Sequence, residues 1–88
     1  MADVNSSVNL TADATACARP AVLKQVVLTG GSDAATATIR NGGASGTIIA
    51  VLKVALATSQ GFAFNRKCDT DIHVTLAGTA PNCYVEWN

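Results

Sequence analysis

Short runs in which every second residue is apolar, cut by Gly, Asn, Ser and Pro, constrain this chain more than any other feature. In Ala35-Thr36-Ala37-Thr38-Ile39-Arg40 the apolar side chains take one face, and Thr36, Thr38 and Arg40 take the other. Phe62 and Phe64 flank Ala63, and Ile72, Val74 and Leu76 alternate with His73 and Thr75. A period of two is the signature of a strand with one face in the core, since successive side chains point to opposite sides of a pleated backbone. Runs of this length spaced by turn residues specify an all-β domain: a small antiparallel β-sandwich, jelly-roll-like or Ig-like, of about six to eight strands.

Along the chain, Pro20 breaks the backbone, and a strand over Ala21 to Thr29 follows. Strict alternation puts Val22, Val26 and Leu28 on one side and Leu23 and Val27 on the other. The β-branched pair Val26-Val27 and the following Gly30-Gly31 favour a strand over a short helix. Asn41-Gly42-Gly43-Ala44-Ser45-Gly46 is a turn whose glycines permit positive φ. It is not a phosphate-binding loop, because the P-loop lysine is missing and the next segment begins with β-branched residues. Taking Gly78 to Pro81 as a hairpin loop sets Leu76 opposite Cys83, Val74 opposite Val85 and Ile72 opposite Trp87, with His73 opposite Glu86 on the outer face. The polar, Ala-rich segment 1–15 is assigned to an N-terminal arm, with a short strand through Val4, Val8 and Leu10 as the alternative, and 16–88 to the sandwich.

Eighty-eight residues make one domain with a thin core. Charged residues are 14% of the chain, against about 25% in ordinary soluble proteins. Ala, Thr, Gly and Ser must therefore form much of the exterior, which suits a surface covered by neighbouring copies. Net charge is zero, with Arg66-Lys67 the sole adjacent cationic pair, so nucleic acid is not an expected partner. A membrane is not one either, because Lys53 interrupts the apolar run from Thr47 to Ala57. Met1 to Ser7 has neither a positive n-region nor an apolar h-region, so cytoplasmic synthesis is the expectation.

Residues that could carry chemistry are few. His73 with Glu86 reads as an exposed pair; it lacks the third positioning group of a catalytic site and the ligand count of a metal site. Asp69 and Asp71 flank Thr70, and two carboxylates fall well short of the six to eight oxygens calcium takes. They read as turn chemistry, bonding nearby backbone N–H groups. No catalytic, cofactor-binding or metal site is expected, and no enzymatic activity. Cys17, Cys68 and Cys83 have no metal or redox spacing. All three are expected as free thiols acting as small hydrophobes; if a bridge forms, Cys17 with Cys83 is the expected pair.

Four stretches together, Ala35 to Gly42, Ser45 to Thr47, Val74 to Thr79 and Tyr84 to Trp87, resemble small virion proteins of tailed bacteriophages. These are compact antiparallel β-sandwiches. The resemblance implies a structural capsid decoration (cement) protein on the virion surface, or alternatively a neck or tail appendage or adhesin module that binds a receptor or glycan. It implies the major capsid protein as partner, together with self-association, most simply as a trimer. The family offers no catalytic residues.

Overall fold

The computed structural model describes residues 6–88. Eight strands are built from them: β1 (Ser6–Leu10), β2 (Ala14–Cys17), β3 (Ala21–Thr29), β4 (Ala35–Asn41), β5 (Thr47–Val54), β6 (Ser59–Cys68), β7 (Ile72–Ala77) and β8 (Asn82–Trp87). They form two four-stranded antiparallel sheets, one ordered β1-β8-β3-β6 and the other β2-β7-β4-β5. Every connection except β4 to β5 passes from one sheet to the other. This is an eight-stranded jelly roll, and it settles the fold as a small antiparallel β-sandwich.

Both inner faces supply the core: Leu10, Leu23, Val26, Leu28, Cys68, Cys83, Val85 and Trp87 from one sheet, and Cys17, Ala37, Ile39, Leu52, Val54, Ile72 and Val74 from the other. No polar or charged residue among those described is buried. The β4 pattern is as the alternation requires, with Ala35, Ala37 and Ile39 inside. β3 has the expected limits, but its phase differs. Against β8, one extra residue between Leu23 and Gln25 resets the alternation, so Leu23, Val26 and Leu28 all face inward while Val22 does not. One extra residue in a strand turns every later side chain to the opposite face.

The hairpin expected between β7 and β8 is corrected: those strands lie in different sheets. β7 pairs with β2 and β4, and β8 pairs with β1 and β3. Ile72 and Val74 do share a core with Cys83, Val85 and Trp87, but across the interior of the sandwich rather than along a ladder. Two apolar rows match equally well in either arrangement, because both need only a common interior. For the first segment the short-strand alternative, not the arm, describes Val8 and Leu10. From Ser6 onward, segment 1–15 supplies β1 and the start of β2, with Val8 opposite Val85 and Leu10 opposite Cys83. Val4, assigned to a short strand with Val8 and Leu10, lies outside the described residues.

The turns hold the sheets in place. Gly42 and Gly43 take φ of 112° and 81° at the start of a single 3-10 turn, Gly43–Ser45. Gly78 has φ 118°, and a Cβ there would lie 2.6 Å from the Ala34 carbonyl oxygen, so the β7–β8 crossover closes tightly on the β3–β4 crossover. Glycine alone tolerates both conditions.

Candidate functional site

The residues singled out for chemistry do not converge. His73 is not beside Glu86: its rung partners are Arg40 and Thr15, and its Nδ1 lies 3.1 Å from the Thr15 hydroxyl. Glu86 sits on the other sheet between Ser7 and Gln25, and its carboxylate accepts a hydrogen bond of 3.1 Å from the Tyr84 hydroxyl. Asp71 accepts from the backbone N–H of Gly42 and Gly43 at 2.8 and 3.1 Å. In return the Asn41 side-chain oxygen accepts from the N–H of Thr70 and Asp71 at 2.9 and 3.2 Å. The carboxylate does bond backbone N–H groups, but those of a loop some thirty residues away. This reciprocal clamp ties the β4–β5 loop to the β6–β7 crossover. Among the described residues no three His, Cys, Asp or Glu side chains group as metal ligands.

All three cysteines are free and buried. Burial pushes the Cys83 thiol up to about 11, because a thiolate would lose its hydration there. Burial also raises Cys68, opposed by Arg66 and reinforced by Asp71, Asp69 and Cys17. At one corner, Ala16, Cys17, Ala18, Arg19 and Trp87 line an open cleft of about 280 Å³. Its walls are mostly small and apolar, and the array offers no acid–base pair.

What the surface does present is edges. One flank of the sandwich carries the edge strands β1 and β2, which touch each other; the other carries β5 and β6, joined by a short turn. Among the described residues each edge strand pairs on one side only, so a row of backbone N–H and C=O groups points outward. The β5–β6 flank is also the apolar one. Ile48 and Val51 on β5 are each 50% exposed, and Leu56 in the following turn is 59% exposed. Val51 lies opposite Thr38 and Ile48 opposite Arg40, which puts both on the outer face of their sheet. β6 is exposed along most of its ten residues, with Phe62 and Phe64 leaning half-buried on the core. Natural edge strands of such length usually carry charges or bulges that discourage pairing. This flank has a limited share of both: one bulge on β5 at Ile49, one on β6 between Ala63 and Arg66, Lys53 on β5, and Arg66 and Lys67 at the end of β6, which leaves Ser59 to Asn65 uncharged.

Sequence reading missed this flank because alternation reports which residues can face a core, not which strands end a sheet. The available signal was Thr47-Ile48-Ile49-Ala50-Val51-Leu52, which has more apolar residues than one buried face uses.

No family model matches the chain, and no curated protein matches it. A solved structure does: a protein of Bacillus endospore appendages, described as a novel family of disulfide-linked pili. The two superpose with a TM-score of 0.51 at 23% sequence identity, over 96% of this chain and 85% of that one. At that identity the likeness establishes a shared fold. It also corrects the functional expectation: the structural neighbour is a pilus protein. Neither the phage capsid decoration reading nor its appendage or adhesin alternative stands.

Proposed function

We propose that this chain is a structural subunit that polymerises into a pilus-like fibre. The observation that carries the proposal is the pair of open flanks, unlike one another and on opposite sides of the sandwich. A contact between two identical flanks would give a closed dimer. A contact between two different flanks is head-to-tail, and it propagates unless the rotation closes a ring. Adding the β5–β6 flank of one copy to the β1–β2 flank of the next would satisfy the outward backbone groups of both. It would also bring Ile48 and Val51 beside the outward-facing side chains of the added strand, which covers part of their exposed surface. The fold shared with an endospore pilus protein supports the same reading, as does a surface with so few charges to repel a neighbouring copy. The work of such a subunit is mechanical, and its binding free energy is repeated at every joint.

The test is electron microscopy and sedimentation of the purified protein at rising concentration. Fibres that lengthen with concentration are expected, and Val51→Lys and Ile48→Lys should remain monomeric, since lysine on an edge strand blocks pairing. A wild-type protein that stays monomeric, or that stops at one closed oligomer, would overturn the proposal.

A further inference from the structure

We propose that Cys17 and Cys68 of one chain join in a disulfide between the two sheets when the protein meets an oxidant. The inference stands without the fibre. Cys17 ends β2 and Cys68 ends β6, and both belong to the buried core. In one sheet Cys17 is paired with Ile72; in the other, Cys68 is paired with Ala21. Only Ala18, Arg19 and Pro20 separate Cys17 from Ala21, and only Asp69, Thr70 and Asp71 separate Cys68 from Ile72. Two rungs and two three-residue crossovers thus close a small ring of four core-facing residues, with the cysteines at opposite corners. Ala21, beside Cys68, has little bulk to hold the sulfurs apart. In the reduced chain each thiol donates to a backbone carbonyl of its own segment, Cys17 to Arg19 at 3.5 Å and Cys68 to Arg66 at 3.9 Å, so both side chains rotate to form the bridge. Bridges across a sandwich interior are geometrically ordinary, requiring Cα atoms about 4.4–6.8 Å apart.

The same register removes Cys83 from the pairing. Cys83 is paired with Leu10 and Leu28, whereas Trp87, at the other end of β8, shares the corner cleft with Cys17. Four residues of strand put Cys83 roughly 13 Å from that corner. The Cys17–Cys83 pair expected from sequence is thereby replaced.

Chemically, the oxidant is a small disulfide such as oxidised glutathione. Cys17, which lines the open cleft, loses its proton and attacks one sulfur of the oxidant, expelling a thiolate and forming a mixed disulfide. Cys68, as thiolate, then attacks the Cys17 sulfur and expels the second thiolate. Two protein S–H bonds are lost, one S–S bond forms, and the oxidant is reduced to two thiols.

An endoproteinase that cleaves before aspartate tests this on the wild-type chain, because it places Cys17 in fragment 13–32, Cys68 in 33–68 and Cys83 in 71–88. The folded protein is incubated with oxidised glutathione, and a second sample is refolded from denaturant in a glutathione redox buffer. Free thiols are then blocked, and both samples are digested without reductant. The expected product is fragment 13–32 linked to 33–68 in a chain that runs as a monomer on a non-reducing gel, two hydrogens lighter than the reduced form. Its Tm should exceed that of the reduced protein by about 10 °C or more, given the long loop closed. A bridge involving fragment 71–88, links only between chains, or no bridge in either sample would overturn the inference.

Discussion

The middle of the sandwich and its β5–β6 flank are made from the same residue types and behave differently. Strands β3, β4, β7 and β8 each pair on both sides, and Leu23, Val26, Ile39, Val74 and Val85 on them have no solvent exposure. β5 and β6 pair on one side only, and Ile48 and Val51 keep half their surface in water. An isoleucine in the middle contributes to folding. One on the flank contributes roughly half as much, because half of its apolar surface stays in water until a second surface covers it. The comparison teaches that the apolar content of this chain exceeds what its interior buries, and that the remainder lies on one flank, where the proposed fibre contact would cover part of it.

The sharpest break between the regions is in stability. Trp87→Ala removes the largest core side chain and should cost about 3–5 kcal/mol, with Leu23→Ala costing about 2–5 kcal/mol. Chemical denaturation would register either as a large fall in midpoint, and an unchanged midpoint for Trp87→Ala would place that ring outside the core. Next in size is an alkaline effect at Cys83. Burial raises its folded pKa to about 11 from the 9.0 of a free cysteine thiol. The stabilising preference for the neutral thiol is therefore fully present below pH 9 and is lost as pH rises toward 11, on the order of 2 kcal/mol. Melting curves across that window should show the fall in wild type and lose this component in Cys83→Ala, measured against the variant's own value at neutral pH.

A smaller loss is expected at the loop clamp. Asp71→Ala deletes both bonds to Gly42 and Gly43. Because the site is partly exposed, the cost should be about 1 kcal/mol, with faster amide exchange at Gly42 and Gly43. Smallest of all, Val51→Lys should leave the denaturation midpoint within about 0.5 kcal/mol of wild type while abolishing assembly. A variant that lost stability and assembly together would erase the distinction between flank and middle.

Fold class was legible because a period of two survives in β4, β7 and β8 almost without interruption. Topology was not. The apolar rows of β7 and β8 match as a hairpin and match equally as opposite walls of a core, and nothing local separates the two. The Leu23–Gln25 bulge was hidden for a similar reason, since one extra residue leaves composition untouched while reversing phase. Segment 6–15 looked like an arm because its residues are exposed or half-buried apart from Leu10. The Asn41–Asp71 clamp joins residues thirty apart and carries no sequence signature beyond two ordinary turn residues.

Hydrogen exchange on the assembled and dispersed protein tests the central claim most directly. In the dispersed subunit the outward N–H groups of β5, β6, β1 and β2 have no ladder partner among the described residues. Head-to-tail joining of the flanks should slow exchange in Thr47–Val54 and Ser59–Cys68, together with Ser6–Leu10 and Ala14–Cys17, and leave the already protected β3 and β8 unchanged. Assemblies in which the four edge strands exchange as fast as they do in free subunits would contradict it.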